Sequence, residues 1–363
     1  MLQKITLKGF KSIKTIDINL GSLNILIGAN GAGKSNLISF FKMLNEMMAG
    51  RFQQYIGVSG RAQSLLNFGP KITPQIEAKL EFEVENGKDT YYLRLFHAAG
   101  DTLIFAEETL SFLQADYESP RVDQLGAGHE ETKINKAAEH MPTARTLKYL
   151  LDRCRVYHFH DTSFTAGVRQ SSYIGNNRWL MSDAGNLAAL LLKFCKENRH
   201  SYQGIIETIR LIAPFFDDFE LDPDGSGHVM LNWREKGSDM IFGPHQFSDG
   251  TLRAICLISL LLQPKDKQPE LIVVDEPELG LHPYALNVVA ALFQSASQHT
   301  QILISTQSSL FLDNFDPENI IVVNRDDKNS HFRRLNPSEL GTWLDDYSLG
   351  EVWEKNIIKG GPY

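Results

Sequence analysis

Leu23-Asn24-Ile25-Leu26-Ile27-Gly28-Ala29-Asn30-Gly31-Ala32-Gly33-Lys34-Ser35-Asn36-Leu37-Ile38 is the stretch on which the fold turns. It reads as a short apolar run suited to a buried strand, then a glycine-rich loop ending in Lys-Ser, then the apolar spacing of a helix. Strand, loop and helix in that order give the loop the setting that a phosphate cradle requires. Glycines let the backbone bend tightly and turn N–H groups toward phosphate oxygens, while the following helix N-terminus adds positive potential. Lys34 is placed to reach the outer phosphates and Ser35 to put its hydroxyl on Mg²⁺. The residues expected around a bound ATP are therefore Asn30, Gly31, Ala32, Gly33, Lys34, Ser35 and Asn36.

A second carboxylate source lies far downstream. Leu271-Ile272-Val273-Val274-Asp275-Glu276-Pro277-Glu278 has the pattern of a buried strand ending in acids. Asp275 fits the position that supports Mg²⁺. Glu276, one residue beyond, is suited to accept a proton from an attacking water. Taken alone, an apolar strand ending in Asp-Glu is unspecific; the upstream loop gives it meaning. Just before it, Phe247-Ser248-Asp249-Gly250-Thr251 leads into the apolar stretch Leu252 to Leu262, which Pro264 ends. Ser248 and Asp249 are good helix caps, and in isolation this is an ordinary helix start.

These elements, with the opening Ile5-Thr6-Leu7-Lys8-Gly9-Phe10-Lys11-Ser12-Ile13, with Gly280-Leu281-His282-Pro283 and with Ile304-Ser305-Thr306-Gln307-Ser308, resemble the ABC-class ATPases of the SMC/RecF-like branch. Within that branch the chain looks like the short AAA-type ATPases related to the ATPase domain of OLD-family nucleases. The resemblance implies an α/β P-loop NTPase fold of ABC type, with a mixed β lobe I, a helical insertion and a parallel-sheet lobe II. It implies ATP and Mg²⁺ as ligands, and a homodimer closed by ATP in which Ser248, Asp249 and Gly250 meet the nucleotide of the partner. Leu279 to His282 then resemble the loop that crosses the dimer interface. Glu276 and Gln307 take the catalytic positions. Gln307 stands where the family usually presents a histidine, and an amide can hydrogen-bond but cannot carry a proton, so slow hydrolysis is expected. Asp249 stands where glycine is commoner, and its charge needs an offset from Mg²⁺ or Arg253. The family's Q-loop leaves Gln53, Gln54, Gln63, His160 and Asp161 open. His158 and His160 alternate as on a strand but lack a matching acid or thiol cluster, so no zinc is assigned.

Composition bounds the rest. The chain has 363 residues, 42% hydrophobic and 22% charged, values ordinary for a globular protein, and a net charge of −8. That charge argues against a nucleic-acid coat over the whole surface but leaves room for local basic groups. Three such groups occur: Lys4 to Lys14; Arg145, Lys148, Arg153 and Arg155; and Arg325 to Arg334. In the second, Leu147, Tyr149, Leu150 and Leu151 suggest a helix anchored on one face. Three widely spaced cysteines suggest neither a disulfide framework nor a CxxC site, and no apolar run is long enough to cross a bilayer. A cytoplasmic protein with no membrane partner is expected.

Organisation follows. Residues 1–165 are expected to form lobe I, with the loop and an antiparallel meander whose hairpin turns at Asn86-Gly87. Residues 116–146 are polar and turn-rich, as in a mobile insertion. Residues 166–240 are expected to be a mainly helical insertion returning through strands, residues 241–335 lobe II, and residues 336–363 a tail bearing Trp343 and Trp353. No heptad run suits a long coiled-coil arm, and too few residues follow Arg334 for a nuclease domain. The expected function is an ATPase that couples ATP-driven dimerisation to double-stranded DNA or to a separately encoded nuclease or toxin effector. Phage defence and DNA repair both fit the resemblance, and no residue chooses between them. The alternative is a nucleotide-gated scaffold that restrains a partner with little turnover.

Overall fold

The computed structural model describes residues 1–361, and two six-stranded sheets organise them. The first is antiparallel, built from β1 (Leu2–Phe10), β2 (Ile13–Asn19), β4 (Gln75–Val84), β5 (Gly87–Ala98), β6 (Thr102–Gln114) and β7 (Arg121–Gly126) in the order β2-β1-β4-β5-β6-β7. The second comprises β3 (Leu23–Ile27), β8 (Cys154–Tyr157), β14 (Leu271–Asp275), β15 (Gln301–Thr306), β16 (Ile320–Asp326) and β17 (Asn329–Arg334). Its order is β17-β16-β3-β15-β14-β8, parallel except for the β16–β17 hairpin.

The parallel strands read as unbroken apolar runs because both faces are covered. Ile25 and Ile27 of β3 join a core with Leu190, Leu257 and Phe293, whereas Leu26 between them joins a second core with Phe40, Leu44 and Leu80. The period-two alternation thus divides one strand between two cores. The second core belongs to α1 (Lys34–Met48) and the antiparallel sheet, with α2 (Phe52–Val58), α3 (Arg61–Leu65), α4 (Ile134–Ala137) and α5 (Pro142–Asp152) around it. On the other face lie α6 (Leu187–Glu197), α7 (Arg199–Ile212), α8 (Asp249–Leu261) and α9 (Pro283–Ala296). Small ladders pair β9 (Ser172–Tyr173) with β11 (His228–Val229), and β12 (Asn232–Glu235) with both β10 (Phe216–Glu220) and β13 (Ile241–Phe242).

Several local expectations change. Within residues 1–165, expected as lobe I, β8 forms the far edge of the parallel sheet, beside β14. Residues 116–146 are not loose. They form β7 and α4, and the Glu131 carboxylate accepts the Phe52 and Gln53 N–H groups at 3.0 and 2.9 Å, capping α2. α5 buries Ala144, Leu147, Leu150 and Leu151, while Tyr149 points outward. In the tail, α10 (Ser309–Leu312) packs with α12 (Leu349–Glu354), whose Trp353 is buried, whereas Trp343 at the start of α11 (Trp343–Asp346) is exposed. The last two residues of that tail lie outside the described ones. Among the described residues no helix is long and apolar enough to cross a membrane.

Candidate active site

The C-terminal ends of the parallel strands gather on one edge of the sheet, where open α/β sheets place their sites. β3 delivers Gly28 to Ser35, β14 delivers Asp275 and Glu276, β15 delivers Thr306 and Gln307, and β8 delivers His158 to His160. Register fixes the acids beside the amide: Asp275 lies opposite Ser305, and Thr306 opposite Ile27.

In the glycine-rich loop, Gly31 and Gly33 have left-handed φ of 77° and 111°. A Cβ on Gly33 would run into Ser330 Oγ, so glycine is required there for space as well as for angle. Beneath the loop, Ser330 Oγ donates to the Ala32 carbonyl at 2.6 Å and lies 2.5 Å from Ser12 Oγ, which in turn accepts the Asn36 amide at 2.6 Å. Asn36 is thereby a brace of the loop in this structure. Lys34 is buried and its Nζ donates back to the carbonyls of Gly28 at 2.5 Å and Ala29 at 3.3 Å. Burial lowers its pKa, while the charges of Glu276, Asp275 and Glu278 pull it back up, which places the ammonium in their field. Ser35 is exposed at the loop's end and Asn30 at its tip.

Opposite stand the acids. Asp275 Oδ1 is buried with no hydrogen-bond partner, as suits an oxygen reserved for a cation. The Asp275 carbonyl lies 2.9 Å from His160 Nε2; a carbonyl can only accept, so that nitrogen carries the proton. Glu276 has a left-handed backbone, φ 42°, held by its N–H on the Ser305 carbonyl at 2.7 Å. Its Oε1 accepts the Gln307 side-chain amide at 2.9 Å. A residue whose role the sequence did not suggest holds this pair in place. Glu278 Oε1 accepts Thr306 Oγ1 at 2.5 Å and the Gln307 N–H at 3.1 Å, tying the strand ends together. Burial pushes the Glu278 carboxyl above the usual range, against those hydrogen bonds.

Ser248, Asp249 and Gly250 are built as a unit of their own. Ser248 caps α8, its Oγ accepting the Thr251 N–H at 3.2 Å. A Cβ on Gly250 would meet the Gly280 carbonyl, so α8 and the Leu279–His282 loop touch through this glycine. Within the chain the offset to Asp249 does not come from Arg253. It is the buried Arg169, 2.9 Å away, which also donates to the carbonyls of Thr162, Pro244 and Phe247. Arg253 is spent on the carbonyls of Phe159 at 3.2 Å, His160 at 2.8 Å and Leu279 at 3.1 Å. Among the described residues, none of these three hydrogen-bonds to the glycine-rich loop of the same chain. Of the Q-loop candidates, His160 meets the Asp275 backbone. Gln53 binds the Leu103 and Glu130 carbonyls, Gln63 takes Asp101 through its N–H, Gln54 lines a cavity with Lys42 and His158, and Asp161 caps Ser163. β8 ends at Tyr157, so His158 and His160 lie beyond the strand, their rings 6.0 Å apart.

Fold and loop together define a P-loop NTPase fold of the ABC type, SMC-like in architecture. Residues 23–313 match the family described as "AAA domain, putative AbiEii toxin, Type IV TA system", and the chain belongs to that family. Among solved structures it is similar to the Smc head bound to the C-winged helix domain of ScpA, with a TM-score of 0.63, 17% identity, and coverage of 95% of this chain and 99% of that one. It is also similar to the Smc head domain with an extended coiled coil bound to the C-terminal domain of ScpA from Pyrococcus furiosus. There the TM-score is 0.57, identity 16%, and coverage 95% and 98%. At such identities the likeness is one of fold. No curated protein matches the chain.

Proposed function

We propose that this chain binds Mg-ATP and hydrolyses it slowly, and that two copies close around two ATP molecules so that closure alters the surface offered to DNA or to a separately encoded effector. The observation that carries this is the convergence of Lys34, Asp275, Glu276 and Gln307 at one sheet edge. Asn30 to Gly33 would cradle the phosphates with backbone N–H groups, and Lys34 would exchange its carbonyl contacts for phosphate oxygens. Asp275 and Ser35 would hold Mg²⁺, which supplies neutralisation of phosphate charge. Glu276 Oε1 is occupied by Gln307, which leaves Oε2 to accept the proton of an attacking water. A solvent-open hollow of about 800 Å³ beside the loop, lined by Lys11, Ser12, Asn36, Gln63, Phe68 and Arg325 among others, would receive the adenine. Ser248 to Gly250, capped and ion-paired but unconnected to their own loop, are suited to the nucleotide of a second copy.

Phosphate release with Mg-ATP, with and without linear double-stranded DNA, tests this. Turnover that is lost in both Lys34→Ala and Glu276→Gln is the expected result; turnover surviving either change would contradict it.

The Glu276–Gln307 hydrogen bond also favours a second reading, a nucleotide-gated scaffold that restrains a partner protein with little turnover. The family description names a toxin–antitoxin system, and the similar Smc heads were solved with a bound protein, both of which suit a protein partner. If Gln307→His leaves turnover unchanged, this residue does not limit hydrolysis and that support is removed.

A further inference from the structure

At the opposite end of β8 from His160, a basic and aromatic surface has no part in the site above. The Arg153 guanidinium carbon lies 5.3 Å from the Tyr149 ring centroid and 5.2 Å from that of Trp179, and Arg178 lies 5.3 Å from the same indole. Tyr149, Arg153, Trp179 and Arg178 therefore form a run of alternating aromatic and cationic groups. Beside it, Arg153, Arg155, Tyr157, Trp179, Leu180 and Lys267 line a narrow cleft, and Lys265, two residues before Lys267, is exposed.

The charge balance here runs against that of the molecule. Asp152 pairs with Lys148 at 2.6 Å, Asp266 with Lys267 at 3.0 Å and Glu270 with Arg153 at 3.5 Å. Among the described residues Arg155, Arg178 and Lys265 have no carboxylate partner, so three cations are left over on a chain whose net charge is −8. Tyr149 is 53% exposed, its hydroxyl donating to Glu270 at 3.5 Å, and Arg178 is exposed, so the run ends at a phenol ring face and a planar guanidinium open to solvent. Burying the core accounts for neither.

We infer that this surface binds single-stranded nucleic acid, with unpaired bases stacking on Tyr149 and the Arg178 guanidinium and phosphates meeting Arg155, Arg178 and Lys265. Every base has a π-face, so the site reads strand character in place of sequence, and a basic groove supplies most of the affinity. Arg155 pairs with Ile272, three residues before Asp275, about 10 Å along the strand at ~3.3 Å per residue, and the cleft runs on to Tyr157, which pairs with Val274. Tyr149, Arg178 and Lys265 lie outside the residues that build the nucleotide edge. The surface takes up the nucleic-acid arm of the function proposed above but requires neither ATP nor a dimer.

The test is fluorescence polarisation of a labelled 20-nucleotide oligo(dT) with the full chain, without nucleotide, across a salt series. Wild type should bind, and a Arg155→Ala/Arg178→Ala double variant should lose about two phosphate contacts, flattening the log–log salt slope by about 1.4. Tyr149→Ala, at an exposed position, should weaken binding about tenfold. A matching melting temperature for each variant excludes misfolding as the cause. Lys34→Ala, which removes the ATPase, should bind oligo(dT) as wild type does, so failure of the ATPase proposal and failure of this one are told apart. Absence of binding, or binding unmoved by the double variant, overturns the inference. So does duplex DNA bound as tightly as oligo(dT) with Tyr149→Ala without effect.

Discussion

The loop at Gly28–Ser35 and the turn at Ser248–Gly250 both sit at helix N-termini, yet they are finished in different ways. The first opens on α1 with no side-chain cap, and its lysine faces a cluster of acids. The second is closed: Ser248 caps α8, Arg169 pairs Asp249, and Gly250 lies against Gly280. An uncapped helix start keeps its N–H groups free for an anion, whereas a capped and braced one presents a preformed rigid edge. On the function proposed above, one region would receive the nucleotide and the other would be applied to it from a second copy. That the chain does not join them to each other is what the proposed closure of two copies would explain.

The sharpest way to break the comparison is at the receiving half. Lys34→Ala should abolish phosphate release and nucleotide binding alike, with binding read by fluorescence of a labelled ATP analogue; retained turnover would show that the loop is not the site. Next, Glu276→Gln should lower phosphate release by about 10²–10⁴, the usual size of a lost general base, while leaving nucleotide affinity near wild type. On the applied half, Arg169→Ala leaves the Asp249 carboxylate without its partner and opens space beneath the turn. It should weaken ATP-induced association, measured by sedimentation, with nucleotide affinity of the monomer unchanged; a parallel loss of affinity would mean that the two halves are not separable.

The smallest effect belongs to a residue outside both halves. Burial raises the Asp89 carboxyl from its ordinary 3.8 to about 6, and one of its oxygens is buried without a hydrogen bond. A carboxyl with a raised folded-state pKa favours folding while protonated, below about pH 3.8, and that contribution is lost as pH rises through about 6. Asp89→Asn should therefore melt higher than wild type at pH 7.5 and nearly level with it at pH 3.5. A pH-independent difference would assign the effect to packing instead.

What the sequence revealed and what it hid follow from how far apart the partners lie. The loop was legible because strand, glycines and helix are contiguous, and local propensity and chain geometry agree. Asp275-Glu276 was legible because an apolar run ends abruptly in acids. Arg169 was hidden: it sits 80 residues before Asp249 and looks like any arginine near a turn, so only the fold brings the two charges together. Glu278 was visible as a residue but not as the tie to Thr306 and Gln307, since that requires the register of β14 on β15. β8 shows the same limit. Its neighbour in the sheet begins more than a hundred residues later, and no local pattern distinguishes a strand that continues a meander from one that crosses to a parallel edge. Tyr149 deceived for the opposite reason: it lies among leucines in sequence, but the helical period turns it to solvent.

The central claim is that the two differently finished helix starts meet across two copies. The direct measurement is the mass of Glu276→Gln by size exclusion with light scattering, with and without Mg-ATP, beside the same variant carrying Lys34→Ala. A shift from monomer to dimer with ATP, absent in the double variant, is the predicted result. A mass that ATP does not change would contradict it.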